Sequence, residues 1–239
     1  MSDLLDLAID AHGGLDRWQK LSKVSARASI GGATWRLKRQ PDAPDVRIKA
    51  TLHEQHVEFW PYKAPGTHSI YEPDRVTVKA DDGPVLDSRT NPRGSFAGHT
   101  LTTPWDELHV VYFRGYAIWT YLTAPFSLRE PGFKSQEIEP WSENGQAWRR
   151  LQVTFPKNVH SHSTEQVFYF DAKGLLRRHD YSVDIIGGSH SAHYATEHKT
   201  LGGIVFPTKR RVYAYGLDNK PILDSVAAVS IDFHEIAVE

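Results

Sequence analysis

Thirteen histidines stand in a chain of 239 residues that has no cysteine. Imidazole titrates near neutrality and can act as acid, base, hydrogen-bonding group or metal ligand, so the histidines are where chemistry is sought first. Six of them fall in two stretches: His160 and His162 in "HSH", and His179, His190, His193 and His198 in the segments either side of Gly187 and Gly188. If that glycine pair is a two-residue hairpin turn, Tyr181 faces Tyr194, His179 faces Thr196 and Arg177 faces His198, all on one face. Such a Tyr/His cluster could polarise a carbonyl or take a proton. Cross-strand packing with surface imidazoles accounts for the same spacing.

Other chemistries find less support. Two imidazoles in "HSH" could share a metal, yet no HExxH or His/Cys zinc pattern accompanies them, and they follow Pro156 in a polar stretch that reads as a solvated loop. No metal site is assigned. The absence of cysteine removes thiolate nucleophiles, disulfides and Cys-ligated zinc. "GIVFP" is no G-x-S-x-G elbow, "GGSH" is explained by a turn, and "GGATW" lacks the strand-to-helix setting of a nucleotide loop, so no cofactor is expected. Asp106, His109 and Arg114 read as a helix cap and a surface ion pair.

The elements that must position these residues begin with the most aromatic one. Thr103 caps a helix predicted over 104–124, Pro104 suits its first turn, and Pro125 stops it. Trp105, Leu108, Tyr112, Tyr116 and Trp119 form a stripe at spacings of three and four, and Val110, Val111, Phe113, Ile118 and Leu122 make most of the remaining circumference apolar. A helix of this kind is buried on most sides. It is too short, and too polar at Asp106, Glu107, His109 and Arg114, for a transmembrane segment.

A first helix is expected from Ser2 and Asp3 with Leu4, Leu7, Ala8 and Ala11 on one face, ended by Gly13 and Gly14, followed by a helical turn from Leu15 to Leu21. The period then becomes two. Val24, Ala26, Ala28 and Ile30 alternate with polar residues, Gly31 and Gly32 are expected to make a hairpin turn, and Trp35 and Leu37 continue in the returning strand. Further strands are predicted at 46–52, 56–62, 75–80, 133–141, 146–155, 165–170, 175–183, 190–199, 204–215 and 225–236, separated by turn signals such as "DDGP", "ENG", "DAKG", "LGG" and "GLDNKP". The fold class is therefore mainly β with α (α+β), a single domain over 1–239 in which a long antiparallel meander curls into a half-open β-barrel. Its concave apolar face needs a cover, which the N-terminal helix and the mid-chain aromatic helix are expected to supply.

The opening "AIDAHGGLDRWQKLSKVSARASI", the helix ending "TAPF", the hairpin "FYFDAKGLLRRHDYSV" and "LGGIVFPTKRRVY" leading into "VSIDFHEI" resemble, in that order, the bacterial half-barrel lipoprotein carrier superfamily typified by LolA and LppX. The resemblance implies an incomplete antiparallel barrel with helices in its mouth that holds acyl chains or another hydrophobic molecule. It brings no catalytic residue.

Lys plus Arg number 28 against 29 for Asp plus Glu, a balance that argues against a nucleic-acid partner. "MSDLLDLAIDAHGG" reads as an amphipathic helix rather than a basic and apolar leader, which leads to the expectation of a cytoplasmic protein. The expected function is binding of a hydrophobic small molecule or lipid in the concave cavity, with Trp105, Tyr112, Tyr116, Trp119, His179, Tyr181, Tyr194 and His198 as ligand-binding residues. An isomerase, lyase or hydrolase using a His/Tyr pair, and a protein-interaction module with a filled core, are the alternatives.

Overall fold

The computed structural model describes residues 3–216 and 220–239; Ser2 of the expected first helix and residues 217–219 of the "GLDNKP" turn lie outside the described residues. The strands are β1 (Lys23–Gly31), β2 (Ala43–Thr51), β3 (Val57–Trp60), β4 (Thr67–Glu72), β5 (Arg75–Ala80), β6 (Val85–Thr90), β7 (Lys134–Glu143), β8 (Gln146–Thr154), β9 (Glu165–Phe170), β10 (Leu176–Val183), β11 (Ser189–Leu201), β12 (Ile204–Ala214) and β13 (Val229–Val238). The helices are α1 (Asp3–Ala11), α2 (Leu15–Trp18), α3 (Ala33–Leu37) and α4 (Glu107–Thr123).

All of these strands belong to one antiparallel sheet in the order β6-β5-β4-β3-β2-β1-β13-β12-β11-β10-β9-β8-β7. Each pairs with its neighbour in sequence except at the centre, where β1 meets β13, so β6 and β7 lie at opposite edges. The connection between those edge strands has to cross the whole width of the sheet. It does so over the concave face and carries α4, and this is how a helix comes to occupy the middle of a meander.

The sheet wraps around that helix. On one side α4 packs against β2 to β6. On the other, the Tyr121 hydroxyl lies 2.9 Å from that of Tyr181 on β10, and Arg210 of β12 donates from Nη2 to the Tyr121 carbonyl at 2.6 Å. Contact on the β4 side is close: a Cβ added to Gly115 would sit 2.0 Å from the ring of Tyr71.

The predicted α+β half-barrel is therefore present, with local differences, among them a last strand that begins at Val229 rather than at 225. First, Gly31 and Gly32 do not make a hairpin. Gly32 adopts φ 123°, the backbone N–H groups of Ala33 and Thr34 donate to the carbonyls of Ala227 and Ala228, and residues 33–37 coil into α3. This buries Trp35 in the core, whereas a strand would have carried it along the sheet. Second, α4 starts at Glu107. Asp106, not Thr103, is its cap and accepts from the His109 N–H at 2.9 Å, while His109 Nδ1 accepts from the Asp106 N–H at 3.2 Å. Third, α2 is shorter than predicted and ends at Trp18. Fourth, β4 and β6 were not anticipated. β4 mixes His and Ser into "THSIYE", and β6 is an edge strand exposed over most of its length with no buried face to impose a period of two.

The hairpin of β10 and β11 has a different register from the one the glycines suggest. A 3₁₀ turn at Asp184–Ile186 precedes Gly187 and Gly188, which lengthens the loop. Tyr181 pairs with Ser191, His179 with His193 and Arg178 with Tyr194. Tyr181 is thus opposite a residue three positions before Tyr194, and an odd displacement exchanges the faces.

A cavity between the central helix and the concave sheet

Between α4, α3 and the concave face of β1 and β10 to β13 lies a cavity of about 210 Å³. Its wall is mostly aliphatic and aromatic, with Ile30, Trp35, Ile118, Val183, Val212 and Ile231 among the lining residues. At one end it opens past Leu37, Leu101 and Val226, which are 44%, 44% and 70% exposed. Large apolar side chains left in water around the mouth of an apolar space are a feature of binding surfaces.

The inner end is polar. Tyr121 and Tyr181 bond to one another, His162 Nε2 lies 2.7 Å from the Tyr121 hydroxyl, and His162 Nδ1 lies 3.1 Å from that of Tyr116. His162 also stacks on the Tyr181 ring, centroids 3.9 Å apart. The loop between β8 and β9 folds inward to bring His162 here, so this imidazole is only 2% exposed, in contrast to the solvated loop residue expected from the sequence. Gln55 holds the loop in place: its side chain donates to the His160 carbonyl at 2.8 Å and accepts from the His160 N–H at 2.7 Å.

Burial sets the protonation of this cluster. It pushes the His162 pKa down to about 3, and it raises those of Tyr121, Tyr181 and Tyr116 above the ordinary phenol range. His179 and His193, also buried, are lowered for the same reason. Near neutral pH the cluster is therefore uncharged. It can orient a polar group by hydrogen bonding, but these pKa values lie far from those that favour proton exchange at pH 7.

The eight expected ligand residues separate into groups. Trp105 and Tyr181 line the cavity. Tyr116 and His179 stand behind its inner wall, Tyr116 through His162 and His179 with its ring edge-on to Tyr121 and Tyr181 and Nε2 2.6 Å from Gln166 Oε1. Tyr112 is buried against the neighbouring loops, its hydroxyl accepting from Arg93 Nη1 at 3.1 Å and lying 3.1 Å from His160 Nδ1. Trp119 packs elsewhere on α4 and donates to the Thr51 carbonyl at 3.0 Å. His198 lies 2.9 Å through Nε2 from the Leu176 carbonyl, near α1 rather than the cavity.

Tyr194 is on the opposite face of the sheet. There it donates to Glu143 at 2.8 Å and accepts from Arg178, which also makes a two-pronged ion pair with Asp180 at 2.7 and 2.8 Å. The odd register shift is the reason: it sends Tyr194 outward with Arg178 and leaves Tyr181 inward.

Sequence reasoning missed His162, Tyr121 and Arg114. Tyr121 lies on the helix already singled out, and only its approach to β10 distinguishes it from its neighbours. Arg114 was expected in a surface ion pair; instead it is the one charged residue of the cavity wall among the described residues. Its guanidinium carbon lies 4.3 Å from the centre of the Trp35 ring, and Nη2 donates to the Pro41 carbonyl at 3.3 Å. Desolvation lowers its pKa to about 10.

No protein-family model matches the chain, and no curated protein matches it by sequence. Solved structures do match its fold. A DUF1329 family protein from Desulfovibrio piger aligns over 99% of this chain and 92% of its own, with a TM-score of 0.56 and 13% identity. A LolA superfamily protein from Nitrosomonas europaea aligns over 99% and 92%, with a TM-score of 0.52 and 10% identity. The fold is LolA-like.

Proposed function

We propose that this LolA-like half-barrel binds a hydrophobic small molecule or lipid-like ligand between α4 and the concave face of the sheet. The observation that carries the reading is an apolar cavity of about 210 Å³ opening through the exposed Leu37, Leu101 and Val226. A dry cavity of roughly 150 Å³ accommodates benzene, whereas pockets that enclose a drug-sized ligand run from about 300 to 1,000 Å³. The enclosed part of the ligand is therefore a ring or a short stretch of chain, and the remainder lies across the apolar mouth. A filled-core interaction module has no use for such a space.

Catalysis on the same ligand is the second reading, favoured by the Tyr116–His162–Tyr121–Tyr181 chain at the inner end. The neutral state of these groups suits positioning better than proton transfer. A cytoplasmic location remains part of the proposal and is checked by fractionating cells that express the protein.

Native mass spectrometry of freshly purified protein is expected to detect a bound small hydrophobe that organic solvent removes. Stripped protein is expected to bind decanol, read by tryptophan fluorescence. Ala117 lies in the wall, so Ala117→Phe is expected to fill the cavity and abolish that binding. Undiminished decanol binding by a folded Ala117→Phe protein would place the ligand elsewhere.

A further inference from the structure

The chain treats its buried and half-buried cations in two ways, Arg114 being half-buried and Lys38, Arg178 and Arg210 buried. Arg178, on the outer face, has two carboxylate partners, Asp180 at 2.7 Å and Glu143 at 2.7 Å, as a desolvated guanidinium normally requires. Around the cavity the pattern differs. Arg114 forms no ion pair among the described residues; Asp42, whose field reaches it, is not in contact. Lys38, fully buried beside the lining residue Leu37, has among the described residues the carbonyls of Thr100 and Thr103 at 2.8 and 3.2 Å and the face of Trp105 at 4.7 Å, with no carboxylate. Arg210, behind the inner end, donates to the Tyr121 carbonyl at 2.6 Å and lies 3.4 Å from His193 Nε2, again with no carboxylate among the described residues.

Unpaired hydrogen-bonding capacity in the wall has the same polarity. Arg114 Nε, Trp35 Nε1 and Trp105 Nε1 are buried without a partner among the described residues, and all three belong to lining residues. Each is an N–H donor; guanidinium and indole nitrogens offer no acceptor. Among the described residues no Asp or Glu lines the cavity. An uncharged hydrocarbon would leave the cation without a counter-charge and the donors without acceptors. A carboxylate accepts only, carries the missing charge and matches the guanidinium fork.

We infer that the ligand of this cavity is an acidic amphiphile whose carboxylate head meets Arg114 and whose apolar tail runs along α4 between Ile118 and the β10–β13 face. This deepens the proposed hydrophobic binding and rests on it. Arg114 stands at the mouth end, bonded to Pro41 just beyond α3, whereas Tyr121 marks the inner end. The two lie about 10 Å apart along the helix at 1.5 Å per residue, which leaves the intervening wall to the tail. The head placed in this way lies beside the open rim, where it keeps part of its hydration, and only the tail is fully desolvated.

The test compares decanoate with decanol, below their aggregation limits at pH 7.5, on stripped full-length protein. The two probes share a tail and differ in head charge. Decanoate is expected to bind about tenfold or more tighter than decanol, as a charge-assisted hydrogen bond implies. Arg114→Gln is expected to remove that preference by weakening decanoate alone. Equal affinity for the two probes in the unsubstituted protein, or equal weakening of both by a folded Arg114→Gln protein, would overturn the acidic head while leaving hydrophobic binding in place. Binding of neither probe would overturn the hydrophobic-ligand reading itself, and the acidic head with it. The comparison within the unsubstituted protein decides the question even if Arg114→Gln does not fold.

Discussion

Acid should unfold this protein, and His162 allows the effect to be isolated. Burial holds its pKa at about 3 in the folded chain, against an ordinary value near 6.5 once exposed. Above pH 6.5 both states carry the neutral imidazole and the group contributes no pH dependence. Below it the unfolded chain takes up a proton that the folded chain refuses, so stability falls with pH until the folded pKa is reached. Between pH 7.5 and pH 5 the integrated effect is about 2 kcal/mol for this one residue, the slope approaching 1.36 kcal/mol per pH unit below pH 6. His12 and His198, both lowered to about 4 by burial, push in the same direction, as do His179 and His193. For a protein whose whole stability is of the order of 5–15 kcal/mol, such a sum brings the acid transition within reach of mild conditions. Urea unfolding at pH 7.5 and pH 5.0, for the unsubstituted protein and for His162→Gln, separates the contributions. The substituted protein is expected to be less stable at both values because Tyr116 loses its bond to His162 and Tyr121 keeps only that to Tyr181. Its loss between the two values is expected to be smaller by about 2 kcal/mol. Equal losses within about 0.5 kcal/mol would show that the folded chain protonates His162 readily, and would refute its placement in a dry inner wall.

Three further outcomes are checked by denaturation and fluorescence titration. Trp119→Ala is expected to cost about 3–5 kcal/mol through the lost buried ring, with the Thr51 carbonyl left unpaired, while decanol affinity stays unchanged because Trp119 does not line the cavity. Gly115→Ala is expected to destabilise by about 3 kcal/mol or more, since the added methyl would overlap the Tyr71 ring; a neutral result would mean that α4 sits further from β4. Tyr181→Phe is expected to cost roughly 0.5–1.5 kcal/mol and to alter ligand affinity, whereas Tyr194→Phe is expected to disturb stability alone, because the two hydroxyls occupy opposite faces of the sheet.

Much of the architecture is legible in the sequence because its causes are local. Alternation of apolar and polar residues in "KVSARASI" records a strand with one buried face, and β1 keeps that alternation in the structure. "EQVFYF" and "RVTVKA" coincide with β9 and β5 residue for residue. The wide apolar circumference of the aromatic helix likewise announces an element enclosed on most sides, and α4 is so enclosed. Where the paired glycines were asked to decide geometry, they did not suffice. Gly31 and Gly32 allow a hairpin, but the carbonyls of Ala227 and Ala228, some two hundred residues away, draw the chain into α3.

The candidate site depends on the same kind of distant decision. Composition and period determined a curled antiparallel sheet, a buried aromatic helix and the presence of Tyr and His within it. Tertiary structure alone decided which of them meet. A single odd step in the register of β10 against β11 placed Tyr181 inside and Tyr194 outside, the inward fold of the 156–164 loop carried His162 into the wall, and the crossing of α4 turned Arg114 towards a cavity with no acidic residue among the described ones. Pattern in a sequence reports which face of an element is apolar; the partner of a polar group is set by long-range packing, and its hydrogen bonds and charge balance follow from that packing.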